Sequence, residues 1–334
     1  MNQDWTQFLL SQHAIFTQDQ RIDFDSEMPQ GGKRIYPVPQ LAVLKASGND
    51  AAKLLQGQMT CNVNDVTEHR SSLGAFCNPK GRAIATFLLI KRGGDFLLVL
   101  PAVLLPSIKE RLQKYILRSD VRITDGSEAF CLIGLLEEDE PKEDFGPLFA
   151  TRQGKAVSVN LSSGQNRSLI IAEAEHAADF WTDRVQRENF RPSGSEQWRF
   201  LDLVAGLPWL STATSEEFVP QMLNLDKLGG ISFNKGCYTG QEIVARTHYL
   251  GKVKRSLFLA EADTADAPAP NAALVDHAAD SAQSAGNVLA AAVEGGLCTM
   301  QIVLQLADDQ DRHAYDLALK DRPELKLRLI PFQS

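Results

Sequence analysis

Cysteine is scarce in this chain: five residues, at 61, 77, 131, 237 and 298, with no CxxC spacing among them. An odd number without that spacing points away from a disulfide framework and from a zinc knuckle. Cys131, in Phe130-Cys131-Leu132-Ile133, and Cys298 fall in apolar strand-like runs, where a free thiol acts as a small core side chain. No apolar run approaches the ~18–20 residues of a membrane span. The first twenty residues mix Gln3, Asp4, Gln12 and Asp19 with apolar ones, and lack the basic start and apolar stretch of a signal peptide. A cytoplasmic protein without membrane contact is expected. Excess positive charge is also missing. The 34 Lys and Arg stand against 42 Asp and Glu, a net charge of −8, and the pI is about 5.4. That excludes a whole-chain electrostatic grip on nucleic acid, so an influence on RNA has to be indirect or rest on a local basic patch.

What is present is an ordinary globular composition, 44% apolar and 23% charged. A chain of 334 residues predicts two or three domains. Leu41 to Lys45 reads as a strand, and Gly48-Asn49-Asp50 opens a short helix over Ala51 to Leu55. Strands at Ala83 to Lys91 and Phe96 to Leu100, joined at Gly93-Gly94, form a hairpin. Pro106 suits a first helical turn, and Ile108, Leu112, Tyr115 and Ile116 follow at helical spacing. Further strands are expected at Val121 to Thr124, Phe130 to Leu135 and Ser168 to Ala172, with an acidic surface loop at 137–148. A helix follows over His176 to Arg187. Ser193-Gly194-Ser195-Glu196 has capping-box spacing and opens another, which Gly206 and Pro208 end after Ala205. Helices and strands mix without strict alternation, which predicts an α+β body over residues 1–250. Residues 262–286, rich in Ala and Asp, read as a mobile loop inside a C-terminal part, 251–334, that is otherwise all β. There Val288 to Val293 and Thr299 to Leu306 flank a Gly295-Gly296 turn, and Leu325 to Ile330 closes what reads as a small barrel.

The chemistry concentrates in the run from Ile231 to Arg246. Thr239 and Glu242 have capping-box spacing, so Thr239 is the expected N-cap of a helix from Gly240 to about His248, stopped at Gly251. Cys237 then lies two residues before a helix N-terminus and two from Lys235. Both features favour a thiolate. Gly236 allows close backbone approach. Two readings stand: a functional thiol, or a capped helix carrying an incidental cysteine. Lys235, Arg246, His248, Lys252, Lys254 and Arg255 form a local basic cluster. It is either a solvated surface or a docking site for a polyanion, a folate glutamate tail or RNA.

Lys235-Gly236-Cys237-Tyr238-Thr239-Gly240-Gln241-Glu242 closely resembles the signature of the YgfZ folate-binding family. The resemblance extends through Phe218-Val219-Pro220-Gln221, Asn224-Leu225, Gly229-Gly230-Ile231-Ser232-Phe233 and Val244-Ala245-Arg246. Leu55-Gln56-Gly57-Gln58-Met59-Thr60, Cys77 with Lys80-Gly81, Gln197-Trp198 and Ala205-Gly206-Leu207-Pro208 add weaker matches. It implies a fold like the T-protein of the glycine cleavage system, a tetrahydrofolate-dependent aminomethyltransferase: a folate-binding region of two subdomains, then a β-barrel, around a central channel. It also implies tetrahydrofolate or a derivative as ligand, and support of iron–sulfur enzymes, among them those that thiolate tRNA. Trp198 is the implied aromatic surface for the pterin, with core packing beside Leu201 and Ala205 as the other reading. Cys237 is implied to face the channel.

Three positions depart from the pattern. A family Trp is Leu41 here, and a frequent Glu is Val204. Where T-protein carries Gly-Gly-Ile-x-Asp-Asp, this chain has Gly81-Arg82-Ala83-Ile84-Ala85-Thr86, with no acid. Aminomethyl transfer by that route needs a titratable group, so an accessory role is expected ahead of a one-carbon transferase. A cysteine hydrolase would require His69 or His248 beside Cys237. One thiolate cannot hold zinc or a cluster alone, so no permanent metal is expected.

Overall fold

The computed structural model describes residues 1–18, 21–24, 32–138, 146–162, 166–251, 253–279, 284–306 and 315–333. Long apolar runs dictate its first layer. Ala83–Arg92 and Asp95–Pro101 are buried along most of their length and pair as the expected hairpin at the centre of a five-stranded antiparallel sheet. Its order is Ser72–Cys77, Ala83–Arg92, Asp95–Pro101, Leu41–Ser47 and Arg122–Asp125. The helices Ala51–Gln56 and Leu105–Gln113 pack on it through Leu55, Ile108 and Leu112. That second helix is shorter than its apolar spacing suggests. Leu117 takes a left-handed conformation (φ 46°), and Tyr115 and Ile116 lie in the turn before it.

A six-stranded sheet forms the second layer, in the order Thr151–Arg152, Ala156–Asn160, Asn166–Glu173, Phe130–Glu137, Lys33–Pro37 and Arg191–Pro192. All its pairs are antiparallel except the last, which is parallel. The helix Ala174–Arg187 packs Ala177 and Trp181 against it, joined by Trp5 and Leu9 of an N-terminal helix, Gln3–Ser11. The strands Lys33–Pro37, Ser72–Cys77 and Ala156–Asn160 are additional to those expected from the sequence. Most of the acidic loop, residues 139–145, lies outside the described residues.

The third part is a closed six-stranded barrel: Arg255–Asp263, Leu297–Gln305, Gly286–Glu294, Ala273–Asp276, Leu317–Leu319 and Arg322–Ile330. Closure satisfies every sheet edge. Alternate side chains (Leu274, Val288, Met300, Ile302, Leu304 and Leu319) fill its own core. The stretch 262–286, expected as a loop, contributes the strand Ala273–Asp276 because Leu274 points into that core; residues 280–283 lie outside the described residues.

One helix, Ser195–Val204, ties the three parts together. Trp198 faces the core of the sheets, while Leu203 and Val204 meet Leu259 and Ala292 of the barrel. Arg199 donates to the Ala291 carbonyl at 2.8 Å. Its N-cap is Gly194 with no side-chain cap bond, so the expected capping box is absent. Ser195 instead accepts a hydrogen bond from the Ile22 amide. Its end is as expected: the amides of Gly206 and Leu207 return to the carbonyls of Leu203 and Asp202.

Candidate functional site

The signature loop is built by three stretches far apart in the chain. Thr60 is the first knot. Its hydroxyl donates to the Gly230 carbonyl at 2.7 Å and accepts from the Ala75 amide at 2.9 Å, while its carbonyl accepts from the Ser232 amide at 2.9 Å. Lys235 is the second. Its Nζ donates to the carbonyls of Met59 (2.7 Å) and Cys61 (2.8 Å) and lies 5.0 Å from the Tyr238 ring centre. Burial pulls the Lys235 ammonium down to about 8, against a smaller opposing effect from Cys61. The Lys235 ammonium is thus held by the carbonyls of Met59 and Cys61.

The third knot is glycine on glycine. Gly240 has φ 83°, and a Cβ there would lie 2.5 Å from the Asn78 carbonyl oxygen and 2.9 Å from Gly81 Cα. Gly81, at φ 71°, would place its own Cβ 2.7 Å from Ile243. Only two bare backbones in these conformations let the helix Gln241–Tyr249 sit on the turn after Cys77. The left-handed Gly240 is itself the N-cap and no side chain caps the helix, which corrects the expected Thr239–Glu242 capping box. The helix ends at Tyr249, before Gly251. Gln221 completes the frame by donating to the Val244 carbonyl at 2.7 Å.

Cys237 alone among the five thiols is exposed. Burial pushes Cys61 and Cys77 up to about 12, so both stay protonated and inert near neutral pH. Tyr238 is buried, and desolvation raises its phenol above the usual tyrosine range. Gly236, Thr239, Gln241, Glu242 and Arg246 complete the signature, with Glu242 and Arg246 exposed on the helix.

A separate cavity of about 490 Å³ opens where the Ser195–Val204 helix, the five-stranded sheet and the barrel meet. Leu41, Leu203, Leu207 and Leu289 give it apolar walls, and half-buried Trp209 lies along it. Asp202 is its one carboxylate. It is fully engaged, ion-paired with buried Arg167 and accepting from Trp209 Nε1 at 2.9 Å. Gln301 is held by the carbonyls of Leu203 and Leu207. Gln40 Nε2 is buried on the wall without a hydrogen-bond partner among the described residues. Cys237 lines neither this cavity nor the three others described on the chain.

Trp198 takes the packing place. It is completely buried, with its ring 4.4 Å from the Arg167 guanidinium carbon and 5.6 Å from the Tyr36 ring. A Cβ at Gly134 would fall 2.2 Å from it. The aromatic surface along the cavity is Trp209, which follows Ala205-Gly206-Leu207-Pro208 by one residue and was missed in the sequence. Its signal was a tryptophan at the close of a helix-stop motif.

No family model matches this chain. Curated relatives do. The tRNA-modifying protein YgfZ of Colwellia psychrerythraea is 32% identical over 279 residues, covering 81% of this chain and 85% of the relative. Those of Hamiltonella defensa (33% over 271 residues; 78% and 80%) and Klebsiella pneumoniae (31% over 301 residues; 87% and 90%) are similarly related. The chain belongs to the YgfZ family. Glycine cleavage system aminomethyltransferase T from Bartonella henselae superposes with a TM-score of 0.70 over 90% of this chain and 85% of its own, at 14% identity. The YgfZ-family chain therefore has the T-protein fold of α+β sheets and barrel.

At positions 85 and 86, where the resemblance to T-protein would place acids, this YgfZ-family chain has Ala85, fully buried, and Thr86, whose hydroxyl donates to the Pro208 carbonyl at 2.6 Å. The basic cluster is divided. Lys235 is tied down, Arg246, His248 and Lys254 are exposed, and Lys252 lies outside the described residues. His248 stacks on Phe233, with ring centres 3.7 Å apart. Among the described residues, no helix is long and apolar enough to cross a membrane.

Proposed function

We propose that this chain is a cytoplasmic folate-binding accessory protein that supports iron–sulfur enzymes of tRNA modification, the tRNA-thiolating ones among them, with Cys237 as its working thiol. The cavity beside Trp209 carries the reading. Its apolar walls, one half-buried aromatic and a buried donor at Gln40 that has no partner among the described residues fit a flat pterin with carbonyl acceptors. Leu41 on its wall is the position that the family resemblance assigned to the pterin. Arg199, also on the wall, is already engaged by Glu196 and the Ala291 carbonyl, so a ligand carboxylate would share it with them. When bound, tetrahydrofolate supplies a one-carbon carrier nitrogen. The protein's residues stack, orient and exclude water. Trp198 supports the site from behind, through Arg167 and Asp202.

Transfer of a one-carbon unit is the weaker reading. The cavity has one carboxylate, and Asp202 is already committed to Arg167 and Trp209. Among the described residues lining the cavity, no other acid is left to move a proton at the folate nitrogen. The exposed position of Cys237 supports contact with a partner protein rather than with the folate. Exchange of Cys237 for Ala should lower tRNA thiolation in cells while leaving tetrahydrofolate binding and the fold unchanged. Full thiolation in that variant would show that the thiol has no role, and loss of folate binding would put Cys237 in the wrong place.

A further inference from the structure

The loop from Gly229 to Asn234 borders a cavity of about 380 Å³ that the folate reading does not use. Arg70 and Lys227 face it with Asp65, Ser232, Phe233 and Asn234. Phe233 also forms the base of an aromatic stack. The His248 ring lies on it at 3.7 Å and 14°, and Tyr249 meets His248 edge-on at 4.7 Å. This stack is not core. His248 is exposed, Tyr249 is 63% exposed, and the neighbouring Leu250 is 84% exposed. Arg246 and Lys254 lie exposed on the same stretch, and Arg255 follows. Lys227 Nζ reaches Ser256 Oγ at 3.4 Å, which joins the cavity to that stretch. None of Arg70, Arg246, Lys254 or Arg255 forms an ion pair among the described residues, and Glu242 is the one acid on the helix. A chain of net charge −8 thus concentrates free cations around exposed rings.

We infer that this face docks a single-stranded loop of tRNA, with an unpaired base on the His248–Tyr249 stack and phosphates against Arg70, Lys227, Arg246 and Lys254. The chemistry selects the ligand. Free cations attract the backbone, and bare rings beside them favour unstacked bases over a duplex, whose bases are already covered. The inference rests on the tRNA-modification part of the proposed function and is independent of the folate cavity.

The test is fluorescence polarisation of the full chain with a labelled tRNA stem-loop and, separately, a fully paired RNA hairpin. The stem-loop should bind more tightly, with affinity falling steeply as salt rises. Tyr249→Ala should weaken stem-loop binding by about tenfold or more. Arg246→Glu with Lys254→Glu should flatten the slope of log affinity against log salt by about 0.7 for each phosphate that is no longer neutralised. Tetrahydrofolate binding should be the same in all three proteins, so failure of the RNA docking and failure of the folate reading are told apart. Equal affinity for both RNAs, or an unchanged affinity in Tyr249→Ala, would overturn the inference. Loss of a bound iron–sulfur enzyme in these variants, without any RNA effect, would make the face a protein-docking surface and overturn it as well.

Discussion

Replacing Asp202 by Asn tests how the cavity wall is held. Asp202 and Arg167 are both about 2% exposed or less, and they are each other's ionic partner. Burial already draws the Arg167 guanidinium down to about 9, against a smaller opposing effect from Tyr36, and Asp202 is its ion-pair partner. The amide keeps the acceptor for Trp209 Nε1 but leaves a cation without a counter-charge in the core. Breaking a buried pair from one side costs about 3–5 kcal/mol. Urea unfolding, followed by tryptophan fluorescence, should show that loss in the first transition. The double variant Asp202→Leu with Arg167→Met removes both charges at similar volume and should recover much of it, because an apolar pair needs no compensation. A single-variant loss under about 1 kcal/mol would refute the reasoning and mean that water reaches Arg167.

Other outcomes follow from the same packing. Gly240→Ala should destabilise by about 2 kcal/mol or more, since a left-handed non-glycine costs about 1–2 kcal/mol before the Asn78 carbonyl has to move; a thermal midpoint equal to that of the parent would contradict this. A thiol reagent should modify one cysteine quickly in the native chain, Cys237, and the remaining four only on unfolding; two rapid equivalents would mean that the loop opens. Lys235 titrates near 8 when folded and at its ordinary 10.5 when unfolded. The unfolded chain therefore holds the extra proton between those values, and stability rises with pH across that window. Compared with Lys235→Met, the parent should gain stability from about pH 8 to about pH 10; an unchanged difference would mean that the ammonium is not desolvated.

Much of this was legible in sequence, for identifiable reasons. The Ala83–Arg92 and Asp95–Pro101 hairpin combines apolar runs with a Gly-Gly turn, so local rules suffice. The helix stop at Gly206 is likewise local. The signature loop was found as a string, but its geometry depends on contacts distant in the chain. Lys235 turns to Met59 and Cys61 because those carbonyls lie there in three dimensions, and Gly240 caps its helix because the Cys77–Gly81 turn presses on it. Both capping boxes failed in this way: spacing signals a helix start, but tertiary contacts at Gly194 and Gly240 decided the cap. Trp198 is core for a similar reason, and it is Trp209 that lines the cavity. Gly134 and Arg167 bury the first, and nothing near either tryptophan in sequence announces them.

The central claim is a folate site at the junction of the sheets and the barrel, and calorimetric titration of the purified chain with tetrahydrofolate, beside Trp209→Ala, tests it most directly. Saturable binding by the parent and clear weakening in Trp209→Ala are expected, with both proteins equally folded. No heat from the parent at millimolar ligand, or an unchanged affinity in Trp209→Ala, would contradict the claim.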